Sequence, residues 1–147
     1  MFTEMYNVLE DLYVFFSQSC KRNSVLKSQL QKVENALKLR NLSKTRWINR
    51  YESIEAMRRS FEAIKGSLAV IESMKCDTTM TRKATSLLKK ILDFNLVFAI
   101  MFMHLVMKKT QILTTEMQKP ELNILDALTL IDATVTSLER TRNSEDE

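Results

Sequence analysis

A single glycine and a single proline, Gly66 and Pro120, leave this 147-residue chain few means of turning sharply. Glycine supplies the positive-φ positions of tight turns, and proline presets others. Hairpins of the Asn-Gly or Asp-Gly type are therefore absent, and so is any glycine-rich phosphate loop. The expected class is all-α, a bundle of about five helices. The length suits one domain that buries about two-thirds of its unfolded surface. That domain is expected over residues 1–142, with the acidic tail 143–147 frayed.

Apolar spacing places the helices. Phe2, Met5, Tyr6, Leu9, Leu12, Tyr13 and Phe16 follow one unbroken helical face. A second, narrower stripe uses Val25 or Leu26, then Leu30, Val33 and Leu37. After a connector from Asn41 to Lys44, a third runs through Trp47, Tyr51, Ile54, Met57, Phe61, Ile64, Leu68 and Ile71. Glu55–Arg59 and Arg58–Glu62 read as surface pairs across one helical turn. Gly66 costs about 1 kcal/mol against Ala in that pattern and is expected to mark a close helix crossing. The polar run Cys76-Asp77-Thr78-Thr79-Met80-Thr81 offers several helix caps. A fourth helix is expected from Thr81 to Gln118, kinked near Asp93. Pro120 suits the first turn of a fifth, with Ile124, Leu128, Ile131, Val135 and Leu138 inward.

The run Phe94 to Met107 is apolar nearly all round. Fourteen residues at about 1.5 Å each give roughly 21 Å, short of the ~30 Å hydrocarbon layer, and Asn95 and His104 lie inside. It is read as the central helix of the bundle, surrounded by neighbours rather than by lipid. The amino terminus has no basic n-region, so no signal peptide and no secretion are expected.

Catalytic chemistry is sparse. Cys20 and Cys76 lie 56 positions apart with no histidine near, which fits neither a metal site nor a disulfide framework and suggests a reducing compartment. His104, the sole histidine, reads as a hydrogen-bonded core residue. No carboxylate pair is placed for acid–base work or for a two-metal clamp. No cofactor and no metal are expected.

Charge is the stronger signal. Between Lys21 and Arg50, nine Lys/Arg stand against Glu34 alone, a local +8 within a chain of net +4, so the remainder carries −4. Such a segment binds polyanions by releasing their counterions; the plainer alternative is a solvated basic helix face. At its end lies Ser43-Lys44-Thr45-Arg46-Trp47-Ile48-Asn49-Arg50, holding the only tryptophan. Ser43 or Thr45 can cap the helix that follows. Trp47 is in phase with Tyr51 and Ile54, which favours a core ring. An indole between Arg46 and Arg50 can equally stack on a base while the arginines hold phosphate. The candidate nucleic-acid contacts are Lys38, Arg40, Lys44, Arg46, Trp47 and Arg50.

The order of these features resembles a known family. Tyr13-Val14-Phe15-Phe16-Ser17-x-Ser19-x-Lys21-Arg22-x-x-x-Leu26 precedes Leu37-Lys38-Leu39-x-x-Leu42-Ser43-x-Thr45-Arg46-Trp47-x-x-Arg50. Ala84, the aromatic run from Phe94, Gln111-Ile112-Leu113, Met117-Gln118 and Leu122-Asn123-Ile124-x-x-Ala127 follow. Together they resemble hAT-superfamily transposases, in the branch that includes zinc-finger MYM-type proteins, over about residues 2–142. The Thr-Arg-Trp motif and the Ser-x-Ser-x-Lys-Arg before it are the more specific part.

The resemblance implies an RNase H-like transposase whose catalytic core is interrupted by an all-helical insertion domain, the part matched here. The family's first two catalytic aspartates and a Cys-x-x-His precede the matched region. Its last catalytic glutamate and an assembly segment follow. The implied product is thus a catalytically incomplete piece, not an enzyme, and Met1 is read as a gene-model start. In-frame coding upstream for two acidic residues and Cys-x-x-His is the corresponding expectation. The family's Arg-Trp falls on Arg46 and Trp47, near the active site, where the tryptophan is implicated in stacking a flipped base at the transposon end. Relatives often have an aromatic after the Lys-Arg pair; this chain has Asn23. The implied partners are DNA, the remainder of a transposase or a chromatin protein, with no membrane. The implied location is the nucleus, with the cytoplasm as alternative. A different class of reading is a helical protein–protein interaction domain with no nucleic-acid or catalytic role.

Overall fold

The computed structural model describes residues 1–41, 47–75 and 77–143, with the backbone alone for 47–49. The described residues form seven helices and no strand: α1 Phe2–Ser17, α2 Cys20–Leu30, α3 Trp47–Arg59, α4 Phe61–Met74, α5 Thr78–Ile91, α6 Phe94–Met117 and α7 Ile124–Asn143. The class is all-α with bundle-like packing. The chain divides into two compact units, Met1–Phe102 and Met103–Glu147.

In the first unit, α1 lays its apolar face inward as the spacing predicts. Met5, Leu9, Leu12 and Phe16 are buried, joined by Val8 and Phe15, while Phe2 stays exposed. The helix packs on α2, α3 and α5, and α4 packs on α2, α3 and α5. Ser19 caps α2: its hydroxyl accepts from the Arg22 amide at 3.4 Å, satisfying one of the orphan donors of the first turn.

The second stripe does not run as one helix to Leu37. α2 stops at Leu30, the chain turns through Asn35 at φ 57°, and residues 36–41 have no regular structure. Asparagine tolerates the left-handed region better than most residues, and so suits this turn.

The third stripe is two helices. Ile54, Met57, Ile64, Leu68 and Ile71 are buried as expected, but the chain breaks at Ser60, whose backbone lies at φ −104° and ψ 12°. Apolar periodicity passes over this break because the stripe resumes in phase on its far side. Of the two expected surface pairs, Glu55–Arg59 forms, whereas Arg58 turns to Glu55. Arg58 and Arg59 both reach Glu55, at 3.2 and 2.5 Å, while Glu62 holds Lys65 at 2.6 Å. Glu55 is itself buried, so this cluster is more than a solvated surface pair. Gly66 does sit at a crossing: a Cβ there would meet the Gln29 side chain of α2 at 3.4 Å.

The fourth expected helix is also two. Asp77 caps α5, accepting from the Thr79 amide at 3.0 Å, so that helix begins at Thr78 rather than Thr81. Near Asp93 the chain breaks instead of kinking. The Asp93 carboxylate accepts from the amides of Asn95 at 2.9 Å and Leu96 at 3.2 Å, opening α6 afresh.

α6 is not wrapped on all sides. Leu96, Ala99 and Ile100 are buried, but Phe94, Phe98 and Phe102 are exposed. Their rings form a ladder with Phe2, at centroid separations of 6.3, 6.2 and 5.8 Å. At 24 residues the helix is longer than the apolar run inside it, about 36 Å. By length and composition alone it is the one helix among the described residues that could cross a bilayer. His104, expected in the core, is half-buried.

In the second unit Pro120 lies in a turn, and α7 starts four residues later. Asn123 sets that start. Its side-chain oxygen accepts from the Asp126 amide at 2.9 Å, and its amide nitrogen donates to the Asp126 carboxylate at 2.6 Å. Lys109 of α6 donates to Ser137 of α7, to the carbonyl at 3.0 Å and to the hydroxyl at 2.7 Å. The inward face expected on α7 is not buried: Ile124, Leu128, Ile131 and Val135 are exposed, and Leu138 is half-buried. A 3–4 apolar spacing shows that a face wants a partner, not that the same chain supplies one.

Candidate nucleic-acid interface

Among the described residues, the basic segment runs through α2, the irregular stretch 36–41 and the first turn of α3. Ser60 fixes the middle piece from a distance. Its hydroxyl donates to the Leu37 carbonyl at 2.6 Å and accepts from the Leu37 amide at 2.8 Å. Both polar backbone groups of one residue are thus satisfied by one side chain where no helix or sheet could do so.

With Leu37 held, Lys38 and Leu39 border a cleft of about 310 Å³ against α1 and α2. Its walls include Tyr13 and Phe16 from α1 and Asn23, Leu26 and Lys27 from α2. Lys27 and Lys38 therefore flank a surface with an aromatic ring in it. The sequence lists both lysines within the basic run, but the convergence depends on the turn at Asn35 and the Ser60 bridge, which no local pattern announces.

The remaining expected contacts fare differently. Arg40 is exposed and paired with Glu52 of α3 at 2.6 Å. Arg50 lies over the Tyr6 ring, 5.2 Å from its centroid. That position draws it towards α1, where it lowers the tyrosine's pKa while burial raises it; burial is the larger effect, so Tyr6 sits above its ordinary value of 10.0. Lys44, Arg46 and the Trp47 side chain, like the caps Ser43 and Thr45, lie outside the described residues, as do Cys76 and the tail 144–147. The backbone of Trp47 opens α3.

The Ser-x-Ser-x-Lys-Arg motif has structural duties in this fold. Ser17 donates to the Val14 carbonyl at 3.4 Å, and Ser19 caps α2. Arg22 stacks over Phe15 with its guanidinium carbon 4.5 Å from the ring centroid. Cys20 is a free, exposed thiol.

Among the described residues no cluster of three or more His, Cys, Asp or Glu is arranged to hold a metal ion. A second cleft, about 260 Å³, lies between α1, α5 and the start of α6, where Glu4 and Asp93 face Lys89 and Lys90. Its balanced charge suits a polyanion less well than the first. Comparison with family models, curated proteins and solved structures finds no match to the chain.

Proposed function

We propose that this chain is a helical domain of hAT-transposase type, without catalysis of its own, that holds nucleic acid through its basic segment 21–50. The observation that supports this most is the pair Lys27 and Lys38 on one cleft beside Tyr13. Cations can meet phosphates there while an aromatic face receives a base, the combination that single-stranded nucleic acid favours. Arg40 and Arg50 belong to the same basic segment, Arg40 exposed beside Glu52 and Arg50 over the Tyr6 ring. The acidic residues that hold metals in the family's catalytic core lie outside the region the resemblance covers, so no strand cleavage is assigned to these residues. On this reading the chain works in the nucleus beside DNA, with the rest of a transposase or a chromatin protein as its protein partner.

The test is binding of labelled single-stranded, hairpin and duplex DNA over a salt series. Each phosphate contact on duplex DNA should contribute about 0.9 to the log–log slope. Lys27→Glu with Lys38→Glu should flatten that slope and weaken binding. Affinity that does not depend on salt, or is unmoved by these changes, would remove the proposal. Trp47→Ala separates its two roles: a stacking ring loses about 1–3 kcal/mol of single-strand affinity, whereas a core ring loses about 3–5 kcal/mol of stability and leaves affinity intact.

The second reading, a protein–protein interaction domain without nucleic acid, is favoured by the outward apolar stripes of α6 and α7. Binding to a protein partner abolished only by changes on those stripes would support it.

A further inference from the structure

The cleft beside Lys27 and Lys38 carries a third kind of group. On α2, Asn23 and Lys27 stand four residues apart, which sets them on one helix face with Cβ atoms about 5–6 Å apart. Both line the cleft, as do Tyr13 and Phe16, three residues apart on α1. Asn23 is half-buried, and its side-chain amide makes no hydrogen bond among the described residues. Lys27 and Lys38 are exposed and enter no ion pair among the described residues, in contrast to Arg40, which Glu52 holds. No acidic residue lies between Leu12 and Val33, and none lines the cleft.

These groups differ in what they select. Ammonium groups ask only for negative charge, and an aromatic face accepts any base. A side-chain amide asks for more, because it holds an acceptor and a pair of donors in one plane. It matches an edge that offers a donor beside an acceptor. Adenine offers that arrangement on two edges, N6–H beside N7 and N6–H beside N1, whereas the N7 side of guanine shows two acceptors. At about 310 Å³ the cleft stands at the small end of ligand sites, a size for one nucleotide and not for a duplex. Resting on the reading of this cleft as a nucleic-acid site, we propose that it holds one unpaired adenine nucleotide of a single strand. Asn23 reads the base, its Oδ1 accepting from N6–H and its Nδ2 donating to the neighbouring ring nitrogen. Tyr13 receives the base face, and Lys27 and Lys38 meet phosphates. The flexible lysine stem carries the ammonium away from the amide one turn back, so both ends of one nucleotide are met at once. An acidic peptide would use the lysines and leave the amide and the ring idle.

The test uses the full chain and short labelled single strands at matched salt, read by fluorescence anisotropy. The strands are of deoxyadenosine, of thymidine, and of deoxynebularine, which keeps the purine ring and lacks the N6 amino group. The parent should bind the adenine strand about fivefold or more tighter than either of the others. Asn23→Ala should erase that difference while leaving the melting temperature and the salt slope as in the parent. Lys27→Glu with Lys38→Glu should instead weaken all three strands alike. The nebularine comparison needs no variant, so it decides whatever Asn23→Ala does to the fold. Salt-dependent binding that the lysine changes weaken, but that neither the base nor Asn23 alters, overturns this proposal and leaves the nucleic-acid reading standing. No salt-dependent binding to any strand removes both. Polyglutamate that displaces the adenine strand as well as an unlabelled adenine strand of equal charge assigns the cleft to acidic peptide, and overturns the proposal too.

Discussion

The Ser60 hydroxyl and the Leu37 backbone form a closed pair of hydrogen bonds, 2.6 Å to the carbonyl and 2.8 Å from the amide, across 23 positions of sequence. Ser60 is buried at the break between α3 and α4, and Leu37 lies in the only described stretch of the basic segment without regular structure. One side chain thus does for this irregular piece what a helical or sheet neighbour would otherwise do. Ser60→Ala removes both bonds, and about 1–3 kcal/mol of stability should go with them. Thermal melting measures that loss. Limited trypsin digestion should also cut faster after Lys38, because the segment is no longer held.

Gly66 makes a prediction of opposite sign. A Cβ at that position meets only the end of the flexible Gln29 side chain, at an ordinary contact distance. Gly66→Ala should therefore gain roughly 0.5–1 kcal/mol from helix propensity and reduced unfolded-state freedom. A fall in melting temperature would mean that the α2–α4 crossing is tighter than its geometry states.

Glu52 restrains one of the cations assigned to nucleic acid. Its carboxylate meets Arg40 at 2.6 Å with both side chains substantially exposed, so the pair adds little to stability. Glu52→Gln should leave the stability within about 0.5 kcal/mol of the parent and should tighten DNA binding while steepening its salt dependence. Arg40→Gln should do the reverse. Titrations of the two variants at matched salt check both directions.

Tyr6 and Tyr51 both ionise above their ordinary value of 10.0, chiefly because burial disfavours the phenolate, with Glu55 adding to the effect at Tyr51. The folded value exceeds the unfolded one, so the stabilisation they give is complete below about pH 10 and is lost as pH rises through the folded values. Arg50 lowers the Tyr6 value, so Arg50→Gln should move that ionisation further up, which tyrosinate absorbance can follow.

How much the sequence disclosed varies along the chain for physical reasons. On α1 the stripe predicted Met5, Leu9, Leu12 and Phe16, which are buried, but also Tyr6 and Tyr13, which are half-buried, and Phe2, which is exposed, because spacing marks a face and not how far its neighbours cover it. Ser60 escaped, and Asp93 was read as a kink rather than a break, because a side chain that interrupts a helix leaves the apolar period on either side intact. Leu37 fitted a helical stripe and yet lies outside any helix, since its backbone is held by a residue far along the chain. On α6 and α7 the pattern marked helical sequence but merged α6 with α5, began α7 at Pro120 and expected apolar residues inside that are exposed. Of the candidate interface, Lys38, Arg40 and Arg50 were visible as charges. Glu52, the partner of Arg40, and Tyr6, the partner of Arg50, were not, because each lies far in sequence from the arginine it meets and carries no motif.

Asn35 and Lys75 occupy the left-handed region, at φ 57° and 46°, in a chain whose one glycine lies in a helix interior. Lys75 closes α4 in the place where glycine is the usual helix terminator. The Lys75 side chain works against its own backbone by up to about 1–2 kcal/mol, and Asn35, whose side chain tolerates this region, by less. Mutational drift in this protein is consequently lopsided: at these two sites a change to glycine moves uphill in stability, whereas along the helices the same change moves down. The chain stands below the stability its own backbone would allow, with the reserve stored at two turns.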